Sequence, residues 1–417
     1  MNEKHEVIVV GSGVIGVCSA LSLQKKGLSV LLIDKDKPCA GASFGNAGAI
    51  VDASCVPNAM PGILSEVISM AFRRHSPLSI RPRYLHRILP WLIRFLLESR
   101  QSRFHANGRN LHGLTQHAVS SWRSLTDNTV LSMLLGEGGW LKVYESKSTF
   151  ESTRIARGLM SEFGVPFELL TKGDIQSLEP NLAPIYEYGF FQKECLNILD
   201  PTKLVEGMVS LFVSRGGQYR QFSVDQLVSC NDSIKLVGPT SNLIAEQVVI
   251  ATGAASKHLA KQVGDNIPLD TERGYHLMFP TSTSDLLSRP VVNGESSFVL
   301  SPMQSGIRMT AQVEFAGLDG KPDYSKIRSL MPSAKRMLPD IELKEESVWM
   351  GCRPSLPDSL PVIGRSKKSP RVCYAFGHQH LGMTLGAVTG LLVSQLVCGE
   401  KSFLDTTPYA PDRFRYI

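Results

Sequence analysis

An uninterrupted strand, helix and strand pattern at the start of the chain constrains the fold more than any other feature. Residues 6–10 form an apolar run of strand length, residues 11–16 read GSGVIG, and residues 14–26 repeat apolar side chains at helical spacing. A second apolar run at 29–33 ends in Asp34. This order predicts a buried parallel βαβ unit that binds a dinucleotide.

The glycines and the acid of this unit each have a physical role in nucleotide binding. Gly11 allows the tight turn, Gly13 lets the backbone approach a pyrophosphate, and Gly16 permits close packing of helix on sheet. Asp34 would accept hydrogen bonds from ribose hydroxyls and disfavours the 2′-phosphate of NADP, which leaves FAD and NAD open. The residues predicted to bind here are Gly11, Ser12, Gly13, Val14, Ile15, Gly16, Asp34 and Lys35.

Two later segments favour a flavin over a nicotinamide. Residues 246–253 form another buried strand that ends in small residues, and two such strand ends can bracket one dinucleotide. Residues 377–384 (GHQHLGMT) lead into the uncharged stretch 381–399, which we interpret as a buried helix rather than a membrane span because it is rich in Gly, Thr, Ser and Gln. The positive end of its dipole would stabilise the anionic edge of a reduced flavin.

Six ordered motifs extend this prediction over nearly the whole chain. They are residues 11–16 with Asp34, 43–48 (SFGNAG), 273–276 (RGYH), 313–317 (VEFAG), 353–364 (RPSLPDSLPVIG) and 377–384. Together they resemble the D-amino acid oxidase/dehydrogenase superfamily of FAD enzymes. Within it, the Asn-Ala-Gly and Arg-Pro-x-x-Pro-Asp stretches are similar to bacterial D-amino acid dehydrogenases, including those that act on D-proline and hydroxy-D-proline.

The resemblance implies an α/β fold in which a Rossmann-like FAD-binding domain is interleaved with a substrate domain built on a mixed or antiparallel sheet. The expected FAD-binding segments are 1–60, 148–265 and 352–417. The expected substrate-binding segments are 61–147 and 266–351. A chain of 417 residues is long enough for two such cores.

The resemblance also implies the remaining cofactor contacts. Val224 would hold adenine through its backbone, and residues 381–384 would meet the pyrimidine edge of the flavin. The positions carried over from the family are Ser43, Asn46, Ala47, Gly48, Val224, Ala251, Thr252, Gly253, His380, Leu381, Gly382, Met383 and Thr384. No spacing of His, Cys or acidic residues indicates a metal site.

The implied reaction is hydride transfer from the substrate Cα to flavin N5. Arg353 is the expected partner of the substrate carboxylate, because a guanidinium binds a carboxylate with two hydrogen bonds. Tyr275 fits the pocket and the core equally well. His276 and His380 could each accept a proton or a hydrogen bond, although His380 departs from the residues that related enzymes carry there. His378 is expected to support the loop rather than to react.

The positive charge of the chain is concentrated in one segment. The net charge is +6, yet residues 67–126 contain ten Arg, no Lys and one acid, so the remainder is negative. Within this segment, residues 84–101 have the pattern of an amphipathic helix interrupted by Pro90. One interpretation is a surface helix with its apolar face in the core. The other is that residues 73–109 rest on anionic lipid and bring the flavin to a quinone.

The sequence therefore predicts an FAD-dependent dehydrogenase of D-amino acids, favouring cyclic D-imino acids, with a quinone or an electron-transfer protein as acceptor. An oxidase of glycine or sarcosine that uses oxygen is the alternative. An RNA-associated flavin protein is the least favoured hypothesis, because the arginines alternate with Leu and Ile rather than with aromatic residues. Eight scattered cysteines and a polar N-terminus predict a cytoplasmic protein, and the basic segment suggests a peripheral position on the inner face of the membrane.

Overall fold

The computed structural model describes residues 3–63 and 78–414. The strands are β1 (Glu3–Val10), β2 (Val30–Asp34), β3 (Ala49–Ile50), β4 (Leu78–Ile80), β5 (Leu135–Gly136), β6 (Trp140–Tyr144), β7 (Glu168–Thr171), β8 (Tyr188–Gln192), β9 (Leu196–Ile198), β10 (Gln218–Gln221), β11 (Gln226–Ser229), β12 (Ile234–Val237), β13 (Asn242–Ile250), β14 (Asp270–Met278), β15 (Val291–Asn293), β16 (Phe298–Met303), β17 (Gly306–Phe315), β18 (Ser347–Ser355), β19 (Val362–Arg365) and β20 (Val372–Phe376).

The α-helices of these ranges lie between the strands or follow the last one. They are α1 (Val14–Lys25), α2 (Leu85–Glu98), α3 (Gln101–Thr115), α4 (Ala118–Thr126), α5 (Lys147–Ser152), α6 (Arg154–Glu162), α7 (Lys172–Leu178), α8 (Pro201–Ser214), α9 (Ser256–Gln262), α10 (Ser325–Arg328), α11 (Met331–Met337) and α12 (Gly382–Cys398).

The first sheet confirms the Rossmann-like part of the predicted fold. Its strand order is β10-β2-β1-β13-β12-β11, with β20 beside β13 and β19 beside β20. Strands β10, β2, β1, β13 and β20 run parallel, and their apolar side chains are buried on both faces. The continuous apolar runs of β1 and β2 fit this position, because helices cover both sides of the sheet.

Helix α12 is the buried helix that the sequence predicts after residue 381. Together with the turn before it, as Gln379–Cys398, it is long and apolar enough to cross a membrane, and 72% of its most apolar window lies inside the protein. It packs closely against α1 because two glycines face that helix. A Cβ on Gly390 would lie 2.5 Å from the Cys18 carbonyl oxygen, and a Cβ on Gly386 would lie 2.9 Å from Val14 Cγ2.

The second sheet has the order β18-β14-β17-β16-β15-β6-β8-β7, with β4 beside β17. Most of its pairings are antiparallel, whereas β15 with β6 and β17 with β4 are parallel. This mixed sheet confirms the predicted architecture of the substrate domain. A small third sheet, β3-β9-β5, lies apart from both.

The expected domain segments need two corrections. Strands β7 and β8 belong to the mixed sheet, although residues 148–265 were expected in the FAD-binding domain. Helices α3 and α4 pack on the first core, although 61–147 were expected in the substrate domain: Leu111, Leu114 and Trp122 are buried there, and the Trp122 indole nitrogen donates to the Met383 carbonyl oxygen at 2.8 Å. The domain of β7 and β8, and that of α3 and α4, is decided by contacts between residues distant in sequence, which a local sequence pattern does not show.

Candidate active site

A cavity of about 1290 Å³ lies between the two sheets and joins most of the predicted site residues. It extends from the β1–α1 turn to the N-terminus of α12, and one of its walls is the mixed sheet. The predicted residues that line it are Gly11, Gly13, Val14, Ile15, Asp34, Lys35, Ser43, Asn46, Ala47, Val224, Ala251, Thr252, Gly253, Arg353, His380, Leu381, Gly382, Met383 and Thr384.

The β1–α1 turn has the geometry that its glycines predict. Gly11 adopts a φ of +111°, and its N–H donates to the Ile33 carbonyl oxygen at 2.7 Å. A Cβ on Gly16 would lie only 1.8 Å from the Gly11 carbonyl oxygen. Asp34 accepts hydrogen bonds from the Ser12 N–H at 2.6 Å and from the Ser12 hydroxyl at 3.0 Å. Asp34 therefore holds the turn in place as well as lining the cavity.

Three predicted cofactor residues shape this wall without reaching the cavity. Ser12 is buried against Asp34, and Gly16 packs on Gly11. Gly48 adopts a φ of +65°, and its N–H donates to the Asn46 side-chain oxygen at 2.8 Å. The sequence predicts direct FAD contact for all three, and in the structure they lie behind the residues that line the cavity.

The segment 43–48 is fixed from behind by Arg308, which the sequence analysis did not single out. The Arg308 Nη1 donates to the carbonyl oxygens of Phe44 at 3.0 Å and Asn46 at 2.7 Å. On the cavity side, the Ser43 hydroxyl accepts the Val14 N–H at 3.0 Å. Burial lowers the pKa of Arg308 to about 10, so the side chain stays charged at neutral pH. The loop and the first helix therefore form one rigid wall.

Arg353 lies opposite Glu272, and both side chains line the cavity. The two residues are direct cross-strand neighbours on β18 and β14. Arg353 Nη1 donates to the Gln312 carbonyl oxygen at 3.0 Å. Its guanidinium occupies the space over Gly274, where a Cβ would lie 2.2 Å from Nη2. The glycine of the RGYH motif therefore makes room for the arginine of the later motif.

Glu272 and Gln312 are site residues that sequence reasoning missed. Burial raises the pKa of the Glu272 carboxyl, while the charge of Arg353 acts in the opposite direction. Gln312 adopts a φ of +74°, a backbone conformation that is strained for a residue with a side chain. The one available signal was the position of Glu272 next to the RGYH motif, because alternate residues of a strand share a face.

Tyr275 and His276 do not line the cavity, which corrects their expected place among the catalytic residues. The Tyr275 hydroxyl donates to a Glu314 carboxylate oxygen at 2.6 Å within the core of the substrate domain. His276 is buried behind Phe44 and stacks on Trp349, with 5.3 Å between ring centroids. Burial and the charge of Arg308 lower the pKa of His276 to about 3. Both residues support the wall of the cavity.

His380 does face the cavity. It follows Gln379, which adopts a φ of +50° and whose side chain is held by Asn58 at 2.9 Å and by the Leu356 carbonyl oxygen at 2.9 Å. The imidazole of His380 is exposed to the cavity. Enclosure by the cavity walls lowers its pKa to about 4, and the positive charges of Arg353 and Lys142 act in the same direction. His380 is therefore neutral at pH 7.

His378 supports the loop, as the sequence analysis predicts. Its Nε2 lies 2.9 Å from the Thr389 hydroxyl of α12, and burial lowers its pKa to about 3.

The buried histidines predict that acid destabilises the fold. His276 and His378 stay neutral when folded, whereas they bind protons below about pH 6.5 when unfolded. Stability therefore rises with pH across this range, by up to about 1.4 kcal/mol per pH unit for each histidine. We expect the free energy of unfolding, measured with urea at pH 5, 6 and 7, to rise less steeply with pH in His378→Gln than in the wild type. The exposed His86→Gln should keep the wild-type slope, and equal slopes in all three proteins would contradict this account.

Apolar residues of α2 line the same cavity as Arg353. Ile88 and Trp91 are buried against Phe315, whereas Leu85, Leu89 and Ile93 are 48%, 50% and 51% exposed. The cavity-lining residues of α2 are Leu85, Leu89, Trp91, Leu92, Ile93, Phe95 and Leu96. The apolar face of α2 therefore lies partly in the core, as the first interpretation expects, and is partly exposed. Part of the proposed membrane segment 73–109, including Arg73 and Arg74, lies outside the described residues.

The residues present fit FAD. The N-termini of α1 and α12 both open on the cavity, and their first backbone N–H groups have no intrahelical partner. Glycines at 11, 13 and 382 keep side chains out of this space. Val224 lines the cavity two residues after Phe222, the residue that follows strand β10. The Phe222 N–H donates to the Asp34 carbonyl oxygen at 2.6 Å, which holds this segment next to Asp34. An adenosine near Asp34 and a flavin near Thr384 agree with this arrangement.

Comparisons with known proteins agree with this geometry. The model of the FAD dependent oxidoreductase family, DAO, matches residues 6–396. A D-amino-acid oxidase of Bradyrhizobium diazoefficiens is 32% identical over 422 residues, covering 99% of this chain and 100% of the relative. A D-amino acid dehydrogenase of Rhizobium rhizogenes is 26% identical, covering 98% and 100%. Glycine oxidase from Geobacillus kaustophilus superimposes with a TM-score of 0.77 at 21% identity, covering 99% of both chains, and this likeness concerns the fold.

Proposed function

Because the chain belongs to the family of FAD-dependent oxidoreductases, we propose that it oxidises D-amino acids at Cα. The observation that carries this proposal is Arg353, whose half-buried side chain lines the same cavity as the residues that fit FAD. The D-amino-acid oxidase and D-amino acid dehydrogenase relatives support the stereochemistry. Motif similarity further favours cyclic D-imino acids such as D-proline and hydroxy-D-proline.

Arg353 positions the substrate in this proposal. Its guanidinium binds the α-carboxylate, and the bond from Nη1 to the Gln312 carbonyl oxygen fixes its plane. Glu272 keeps the Arg353 side chain oriented while no substrate is bound. When bound, FAD would supply the two-electron chemistry as the acceptor of hydride from the substrate Cα.

His380 acts at the amine in this proposal. The substrate amine has to be neutral when the Cα–H bond breaks. Since the pKa of His380 is lowered to about 4, its ring accepts a hydrogen bond at pH 7 without adding positive charge. The positive charges of Arg353 and Lys142, which already act on His380, disfavour the ammonium form of the amine beside it.

Anaerobic mixing with a substrate panel tests the proposed function. We expect the flavin absorbance to bleach with D-amino acids, fastest with D-proline and hydroxy-D-proline. The L-isomers, glycine and sarcosine should leave it unchanged. Bleaching by L-amino acids alone would refute the proposal. Bleaching by glycine or sarcosine with stoichiometric peroxide in air would favour the oxidase alternative.

We propose a quinone or an electron-transfer protein as acceptor, reached at an anionic membrane surface in the cytoplasm. The support is α2, where the exposed Leu85, Leu89 and Ile93 lie beside the exposed Arg83 and Arg87 and also line the cavity. Apolar side chains next to arginines are the combination that binds an anionic lipid interface. A lipophilic quinone could then enter the cavity from the bilayer.

Vesicle sedimentation tests this contact. We expect the wild type to bind phosphatidylglycerol-rich vesicles, and Ile93→Asp to lower the bound fraction roughly tenfold because it places an anion at the lipid surface. Val213→Asp is the matched control, since Val213 is 47% exposed on α8. Turnover with a soluble acceptor should stay within twofold for Val213→Asp. Equal vesicle binding by Ile93→Asp and the wild type would refute the contact.

A further inference from the structure

A second cation, Lys142, faces the cavity from the mixed sheet. It lies on β6 and lines the cavity together with its neighbour Trp140. Its positive charge acts on His380, as does that of Arg353. The cavity around His380 is therefore influenced by two cations from different parts of the sheet.

Lys142 differs from Arg353 in its cross-strand neighbours, which are Phe190 on β8 and Val292 on β15 rather than a carboxylate. Arg353 has Glu272 directly across the strand pair. In the part of the chain that the structure describes, the group that acts electrostatically on Lys142 is the thiol of Cys195, and its Nζ lies 5.8 Å from the centre of the Phe190 ring. Burial lowers the pKa of Lys142, which reflects the cost of an ammonium group without an anion.

The position of Lys142 separates it from the anchor of the α-carboxylate. Strand β6 is five strands from β18 in the mixed sheet, a backbone separation of roughly 24 Å at the usual strand spacing. The two side chains therefore reach the cavity from different strands of the sheet, and the charges of both act on His380. One carboxylate held by Arg353 is not expected to serve both cations.

The charge balance of the cavity indicates what Lys142 would bind. Arg353 has the Glu272 carboxyl across its strand pair and would bind the α-carboxylate of the substrate, so neither group serves Lys142. The ammonium of Lys142 then stays uncompensated in a poorly hydrated space, which is unfavourable. A carboxylate of the ligand next to Lys142 would compensate this charge.

We propose that Lys142 binds a second carboxylate of the substrate, carried on the side chain or on a ring substituent. This inference rests on the proposed function and ranks substrates within it. The preference for cyclic imino acids concerns the amine nitrogen, whereas Lys142 concerns the part of the substrate beyond Cβ. D-Amino acids with an acidic side chain are therefore favoured over their amides.

Paired substrates test the assignment in the holoenzyme. We expect the wild type to oxidise D-glutamate with a higher kcat/KM than D-glutamine. In Lys142→Met, the ratio of the two values should fall roughly 50-fold, while D-glutamine and D-proline stay within threefold. Lys142→Arg should recover part of the ratio because it restores the charge. Lys172→Met, which removes an exposed lysine paired with Glu187, should leave the ratio unchanged.

A binding measurement separates this inference from the proposed function. Glutarate and butyrate cannot be oxidised at an amine, and their binding is followed by the difference spectrum of the oxidised flavin. We expect Lys142→Met to weaken glutarate roughly 50-fold and butyrate less than threefold. This result without any oxidation of D-amino acids would reject the proposed function and support the second carboxylate site.

Two outcomes would overturn the assignment. One is that Lys142→Met lowers kcat/KM equally for D-glutamate and D-glutamine, and weakens the binding of glutarate and butyrate equally. The other is an unchanged ratio with an altered flavin spectrum of the ligand-free enzyme, which would place Lys142 against the cofactor.

Discussion

Arg353→Lys is expected to raise the KM for the preferred D-amino acid roughly 100-fold, which corresponds to about 2.7 kcal/mol. Lysine keeps the charge, but it cannot form the two parallel hydrogen bonds of a guanidinium to a carboxylate. It also loses the bond to the Gln312 carbonyl oxygen that fixes the side chain. We expect kcat to fall less than tenfold, because the lost contact is made in the ground state as well as in the transition state.

Steady-state kinetics with an artificial acceptor measure this effect. Arg328→Lys is the control, since Arg328 forms an exposed ion pair with Glu345 at 2.8 Å and should leave KM unchanged. Flavin content and melting temperature establish that Arg353→Lys is folded and loaded. An unchanged KM in a loaded enzyme would remove Arg353 from the substrate site.

Gly16→Ala is expected to yield a protein with less than a tenth of the wild-type flavin content. The added Cβ would lie 1.8 Å from the Gly11 carbonyl oxygen and 2.9 Å from its carbon, so the turn between β1 and α1 has to open. Overpacking of this kind costs about 3 kcal/mol. The shift displaces the N-terminus of α1, where the phosphates of FAD would bind.

Flavin absorbance relative to protein, together with urea unfolding, measures both effects. Gly158→Ala is the matched control, because Gly158 lies inside α6 and a Cβ there meets no atom within 4 Å. Alanine should stabilise that helix by up to about 1 kcal/mol. Full flavin occupancy in Gly16→Ala would show that helix packing at this turn does not control cofactor binding.

The part of the site that could be predicted from sequence is the part that local geometry dictates. The β1–α1 turn, Asp34 and the start of α12 depend on glycine conformation, helix ends and apolar runs, all of which are visible in short stretches of chain. Arg353 was predicted from the resemblance of residues 353–364 to a family motif, not from the spacing of apolar residues. Its surroundings depend on strand pairing, which no short stretch records.

Tyr275 and His276 show why strand residues were misjudged. Strand β17 pairs with β14 with a shift of register between Arg273 and Tyr275, next to the left-handed Gln312. The extra residue lies on β17, whereas β14 keeps a continuous register with β18, so its residues still alternate between the cavity face and the core face. The sequence does not tell which of the two faces lines the cavity. Gly274 and Glu272 took the places expected for the two aromatic rings.

Lys142 had no sequence signal, because a lysine between apolar residues of a strand is typical of an exposed edge. The exposure of the apolar face of α2 could not be predicted either, since an amphipathic pattern does not tell what covers the face. The domain boundaries failed for the same reason: α4 is assigned by the contact of Trp122 with Met383, which lies 261 residues away along the chain.

The continuity of the cavity from Arg353 to α2 has a kinetic consequence. If amino acid and lipophilic acceptor enter one chamber, each must leave before the other reacts, so the enzyme alternates between an oxidised and a reduced form. Initial rates should then give parallel double-reciprocal lines. High concentrations of the amino acid should compete with the acceptor for the reduced form. Because both would use one cavity, the amino acid and the acceptor would react in alternation and not at the same time.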